Sequence, residues 1–289
     1  MSEFPRRRSD PGRWKQGRPT TPRRSPPAKT PASNTAWERQ AAWYDERQGQ
    51  EGDDFHRDLV LPAVLRQLQA QPGQRVLDCC CGNGVLGRHL AATGVRVVGV
   101  DASPSLIESA QERAGSHESY VLGDAHALPD LLSGESFDHA ALVLALQDLD
   151  PINHVLHGCA QAVRPGGRLV VVLTHPCFRL PKYHHWGWDE ENELQYRRLD
   201  GYALPRRLPI VTHPGRDGNT ASTTSYHRAL PLYLNALGAA GWAVTASEEL
   251  FSHRRGSKGR RSQAEDLAHR EFPVFLVLTA ERLSSAPAD

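Results

Sequence analysis

No run of about 18 uninterrupted apolar residues occurs in this 289-residue chain, so no membrane-spanning helix and no membrane partner are expected. The first residues bring arginines and prolines where a secretory signal would need an apolar stretch, and a soluble, cytoplasmic protein is the expectation. Cysteine is scarce as well. Cys79, Cys80 and Cys81 are consecutive, and Cys159 and Cys177 stand alone. Neither a disulfide framework nor the spacing of zinc ligands emerges from these positions, so reduced, mostly buried thiols and no metal are expected. Charge of either sign is in little excess, the net value being +1. What remains, 39% hydrophobic and 23% charged residues, suits one sizeable globular domain with appendages rather than a fibrous or disordered chain.

The small net charge hides an asymmetry. Residues 1–30 hold nine Lys or Arg against Glu3 and Asp10, a balance of +7 that leaves −6 for the remainder. Pro5, Pro11, Pro19, Pro22, Pro26 and Pro27 prevent a continuous helix there. The segment 1–34 therefore reads as a disordered, basic, proline-rich tail. It is the one part of the chain through which nucleic acid could be attracted, although charge runs are usually just solvated and a solubilising extension is the plainer reading.

Beyond the tail, Ala36 to Gln69 has helical spacing in two segments, and the periodicity changes after Pro72-Gly73. Short β-type runs then alternate with helical ones. Strands are expected at Arg75 to Asp78, Val95 to Val100, Tyr120 to Leu122, Phe137 to Ala145 and Arg168 to Leu173, the last preceded by a Pro165-Gly166-Gly167 turn. Between them come a helix closed by Gly94, one opened by Ser103-Pro104 and one opened by Asp150-Pro151. This alternation implies an α/β fold with a doubly wound, mostly parallel sheet. At the end a helix from Arg228 to Ala240 is followed by strands at Trp242 to Ala246 and Pro273 to Ala280 with no helix between them. Those two strands should be antiparallel neighbours at one edge, making seven strands in all. The stretch Thr174 to Tyr226 is too long for an ordinary connection and sits at the ligand-binding side of such a sheet.

The chemistry concentrates at Asp78-Cys79-Cys80-Cys81-Gly82-Asn83-Gly84, between a strand and a helix. Glycines let backbone approach a ligand, and free N–H groups at a helix start suit a carboxylate. Asp101 ends the next strand, where a carboxylate accepts from ribose hydroxyls, and Asp124 ends the third. Helix capping explains any one of these acids but not three at successive strand ends. Gly82 to Gly87 also satisfies Gly-x-Gly-x-x-Gly, the mark of a nicotinamide dinucleotide site. Asp78, just before the turn, would repel a pyrophosphate and suits a cationic ligand instead.

In these motifs the chain resembles the class I, Rossmann-like S-adenosylmethionine-dependent methyltransferases of small-molecule type. The resemblance runs from about Ala36 to Ala280 and rests on five ordered matches: Val76 to Gly84, Asp101, Gly123-Asp124-Ala125, Phe137-Asp138 and Pro165-Gly166-Gly167. It implies S-adenosyl-L-methionine as cofactor, held by Asp78, Cys80, Gly82, Asn83, Gly84, Asp101, Ala102, Asp124, Ala125 and Leu144. An aromatic of the first helix, Trp43 or Tyr44, would cover it. The domain would then span 35–289, with a substrate-side insertion at about 174–226. Similar enzymes carry His-Pro-Cys-Phe after strand five and Tyr-His-Arg before the last helix. This implies that His175, Tyr226 and His227 face the acceptor, with either histidine suited to remove a proton. Trp186 and Trp188, with Phe178, Tyr183, Tyr196 and Tyr202, would either line an aromatic acceptor pocket or pack beneath the long loop.

The expected function is transfer of a methyl group to an O, N or C atom of a small, aromatic or apolar acceptor. A nucleic-acid methyltransferase using the basic tail, a nicotinamide oxidoreductase and a non-catalytic cofactor-binding protein stand as alternatives. The net acidic body, and Leu144-Ala145-Leu146-Gln147-Asp148 in place of a base-flipping signature, speak against the first.

Overall fold

The computed structural model describes residues 35–211 and 222–284, so the tail assigned to 1–34 lies outside the described residues. The chain enters through a 3-10 turn, Glu38–Gln40, and helix α1, Ala41–Gln48. A π turn at His56–Val60 runs into α2, Leu61–Leu68. Strand β1 (Arg75–Cys79), α3 (Val85–Ala91), β2 (Arg96–Asp101), α4 (Pro104–Glu112) and β3 (Glu118–Leu122) make one half of the domain. Helix α5 (Leu128–Leu131), β4 (Phe137–Val143), α6 (Ile152–Ala162) and β5 (Val163–Thr174) begin the other. Strands β6 (His184–Asp189), β7 (Leu194–Leu199), β8 (Arg206–Val211) and β9 (Ser222–His227) follow. Helix α7 (Leu230–Ala239), β10 (Trp242–Phe251), α8 (Ser262–Glu271) and β11 (Pro273–Arg282) end the described chain.

Seven strands form one sheet in the order β10-β11-β5-β4-β1-β2-β3. β1 through β5 pair in parallel, and β11 runs antiparallel to both β10 and β5. The order reverses between β4 and β1, the switch point at which open α/β sheets leave a crevice at their carboxyl ends. Side-chain alternation feeds two cores. From β5, Leu169, Val171 and Leu173 join Phe137, Leu156, Tyr233 and Trp242 on the face covered by α5, α6 and α7. Val170 and Val172 turn to Val64, Leu68, Leu86 and Leu90 of α2 and α3 on the other face. A strand buried on both faces reads as a continuous apolar run, which Leu169 to Leu173 is.

Three features differ from the sequence reading. The last two strands are separated by helix α8, not by loop alone. Its apolar residues are few, Ala264, Leu267 and Ala268, so the segment reads as polar. It is held by its side chains: Asp266 accepts from the Gly256 N–H at 2.7 Å and Glu265 from the Ser257 N–H at 2.5 Å. Pro165-Gly166-Gly167 lies inside β5, where register jumps from Val163 opposite Phe137 to Arg168 opposite His139. Finally, the stretch after β5 folds into two antiparallel hairpins, β6 with β7 and β8 with β9.

Candidate functional site

The turn after β1 is shaped by close approach. Gly82 has φ +54°, and a Cβ there would lie 3.0 Å from the Tyr44 ring; Gly84 has φ +79°, and a Cβ would meet the Tyr120 hydroxyl at 2.5 Å. Only glycine fits both the backbone conformation and the space. The Gly82 N–H donates to Asp101 Oδ2 at 2.9 Å, which locks the turn to the end of β2. Asp78 beneath it is 2% exposed, and its Oδ2 has no hydrogen-bond partner. Burial, then the nearby Asp101 charge, pushes its carboxyl up to about 7. A buried, orphaned carboxylate oxygen beside a glycine turn suits a ligand that brings a cation and hydrogen-bond donors. The methionyl end of S-adenosylmethionine, with its ammonium, is such a group, so these residues fit the cofactor.

Asp101 also accepts from the Ser103 N–H at 2.9 Å. It does not cap α4: Ser103 does, accepting from Leu106 N–H at 3.3 Å. Burial raises the Asp101 carboxyl, opposed by the N–H groups of Ser103, Gly82 and Ala102. Asp124 does serve as a cap, accepting from the His126 N–H at 2.9 Å in a short 3-10 turn, while it also faces the cavity. Helix α1 is fastened across this end. Asp45 takes two hydrogen bonds from Arg113, the C-cap of α4, at 2.5 and 2.7 Å, and one from Asn83 Nδ2 at 2.8 Å. Glu38 accepts from the Ser103 and Ser105 hydroxyls at 2.5 and 2.6 Å. These ties hold the Tyr44 ring over Gly82.

A cavity of about 630 Å³ opens at the carboxyl ends of the strands. On one side Tyr44, Cys80, Gly82, Asp101, Ala102, Asp124, Ala125 and Leu144 line it; on the other stand Tyr226 and His227. Asp78, Asn83 and Gly84 are not on its wall. Cys80 and Leu144 hold left-handed backbone, at φ +62° and +53°, a strained state for non-glycine residues that clusters at functional sites. His227 Nε2 faces the Tyr202 carbonyl at 2.7 Å, so it must be the protonated nitrogen and Nδ1 the basic one. Burial lowers its pKa, opposed by the bond to Tyr202, and so favours the neutral ring.

The other histidine is differently placed. His175 is 2% exposed and does not line the cavity. Its Nδ1 accepts from the Cys177 N–H at 3.2 Å, so Nε2 carries the proton and donates to Glu249 at 3.0 Å. Nε2 ties the end of β5 to β10 and Nδ1 closes the local turn at Cys177, so neither nitrogen is left for a substrate. Trp186 and Trp188 also lie elsewhere. Trp186 packs edge-on against Phe272 at 5.4 Å, and Arg261, the N-cap of α8, stacks on Trp188 at 4.6 Å. The pair docks α8 on the β6–β7 hairpin.

Among the lining groups that escaped the sequence reading, three bear on the chemistry. Trp37 stands in the N-terminal turn, 5.6 Å edge-on from Tyr44. Asp148, just past β4, is hydrogen-bonded by Trp37 and Ser225, and burial pushes its carboxyl up to about 7. Arg179 reaches the cavity from the loop after β5. Asp148 carried a usable signal, being a fourth acid just past a strand end; the other two carried none.

Residues 76–167 match the family model of a methyltransferase domain. The chain is 38% identical to the demethylmenaquinone methyltransferase of Beutenbergia cavernae over 109 residues, 38% of this chain and 44% of that one. It is 37% identical to an uncharacterized methyltransferase of Synechocystis over 113 residues, 38% of this chain and 52% of the relative. The chain thus spans about half the length of these curated relatives. Among solved structures, an S-adenosylmethionine-dependent methyltransferase from Mesorhizobium loti superposes with a TM-score of 0.59 at 25% identity, covering 77% of this chain and 96% of that one.

Proposed function

We propose that this chain, which carries a class I S-adenosylmethionine-dependent methyltransferase domain, transfers the cofactor's methyl group to an O, N or C atom of a small aromatic or apolar acceptor. The observation that carries the reading is a single cavity joining the ends of β1, β2 and β3 to strand β9. Its volume admits a cofactor and a small acceptor side by side. The cofactor supplies a methyl group already activated on a sulfonium, so the chain's own work is to align the acceptor and exclude water. Gly82, Asp101 and Asp124 hold the nucleoside, Asp78 the ammonium, and the Tyr44 ring covers them. Trp37, Val143, Leu149, Ile210 and Tyr233 offer an apolar wall to an acceptor. One relative is named for demethylmenaquinone, and a flat, apolar acceptor of that general shape agrees with this wall. His227 Nδ1 receives the proton when the attacking atom carries one.

Titration calorimetry tests the reading. S-adenosylhomocysteine should bind and NAD should not; tight binding of NAD with S-adenosylhomocysteine ignored would overturn it. Asp101→Ala should weaken S-adenosylhomocysteine by roughly 1.5–3 kcal/mol, the scale of hydrogen bonds to a charged group, while the fold stays intact. An unchanged dissociation constant would leave Asp101 with only its ties to Gly82 and Ser103.

A further inference from the structure

Three arginines line the cavity, and two of them are neutralised. Arg47 pairs with Asp53 at 2.9 Å and Arg228 with Asp150 at 2.7 Å. Arg179 makes no ion pair and its guanidinium no hydrogen bond among the described residues. It is half-buried, and its electrostatic neighbours are other cations: Arg254, already paired with Asp54, and Arg197, whose Nε donates to the Phe178 carbonyl. Burial, then Arg254, lowers its pKa. Among the described residues four acids line the same cavity and none pairs with Arg179: Asp148 is held by Trp37 and Ser225, Asp53 by Arg47 and His56, Asp101 by the Gly82 and Ser103 N–H groups, and Asp124 by His126. An uncompensated guanidinium kept half-buried costs stability, and a ligand that supplies the missing anion recovers it. A second observation agrees: Arg228 spends Nη2 on the Leu149 carbonyl and Asp150, while its Nη1 is buried with no partner.

We propose that Arg179 is a specificity residue that recognises a carboxylate on the acceptor, so that the methyl group goes to a small, flat, apolar molecule bearing one anionic group. The proposal rests on the methyltransferase reading and narrows it, setting the acceptor apart from an uncharged quinone. A monoanion fits better than a dianion such as a phosphate ester, because one uncompensated positive charge lines the cavity. Arginine's fixed fork suits a carboxylate's two oxygens.

The test uses the full chain saturated with S-adenosylhomocysteine, with benzoate as probe, benzamide as its neutral counterpart and phenyl phosphate as the dianion. Benzoate should raise the melting temperature saturably, with benzamide without effect and phenyl phosphate weaker. Arg179→Met should abolish the benzoate response, and Arg179→Lys should weaken it several-fold. Equal responses to benzoate and benzamide, a response that survives in Arg179→Met, a stronger response to phenyl phosphate or no benzoate response at all would each overturn the proposal. The comparison of the three probes on the unaltered chain decides the matter even where a variant fails to fold. S-adenosylhomocysteine is followed separately: if it fails to stabilise the unaltered chain, the methyltransferase reading falls, whatever benzoate does.

Discussion

Asp78 gives the cofactor site a pH dependence of definite sign. In the ligand-free protein its carboxyl titrates near 7, against about 4 in an unfolded chain. Between those values the folded protein holds a proton that the unfolded chain has lost. The contribution of Asp78 to stability therefore falls as pH rises through this window and is level above it. A ligand ammonium needs the ionised form, so binding of S-adenosylhomocysteine should strengthen by up to about tenfold per pH unit below 7 and then level off. Calorimetry across that range checks this, and Asp78→Asn should bind weakly with little slope. At His227 the expected outcome concerns rate: His227→Ala should lower turnover by roughly 10²–10⁴-fold, with cofactor affinity changed only a few-fold. A drop in acceptor affinity alone would mean that the acceptor attacks without a base. The acids at the ends of β1, β2 and β3 were legible because each stands at the end of an apolar run. The two histidines looked alike in sequence, each between a strand and a loop. What separates them is where their ring nitrogens find partners, and Glu249 and Tyr202 are far away in the chain.

At the scale of elements, strands β1, β4 and β5 were legible because burial on both faces leaves a plain apolar signature, whereas β2 and the edge strand β3 showed shorter apolar runs. The β8–β9 hairpin was not legible: Ser222 to Tyr226 is polar, and only pairing with Arg207 to Val211 makes it a strand. Helix α8 was missed for a related reason, since its stability comes from outside its own pattern. Trp186 meets Phe272 and His269, and Arg260 and Arg261 meet Glu193 and Glu190 at 2.9 and 3.1 Å. The exposed ion pairs contribute little, so the aromatic contact should dominate. Trp186→Ala is expected to destabilise the protein by about 1–3 kcal/mol, less than a fully buried tryptophan because Trp186 is 37% exposed. Glu193→Ala should stay within about 0.5 kcal/mol. Denaturant unfolding of both variants checks the order, and S-adenosylhomocysteine affinity should be unaffected by either.

For the whole molecule, the alternation of strands and helices was enough to place a crevice at the switch between β4 and β1, and the class of ligand followed from the acids around it. How the crevice is covered was not legible, because it depends on α1, whose only buried residues are Ala41 and Gln48. That helix lies over the turn by polar ties: Arg113 to Asp45, Asn83 to Asp45, and two serine hydroxyls to Glu38. A cover fastened by apolar contact would tighten as salt is added, whereas one fastened by partly exposed charges loosens. S-adenosylhomocysteine is a zwitterion without net charge, so screening leaves its approach nearly unchanged. Raising the ionic strength should therefore speed its departure a few-fold in a stopped-flow displacement measurement, and Arg113→Met should depart fast at every salt concentration. Where product release limits the cycle, turnover by this protein would rise with salt.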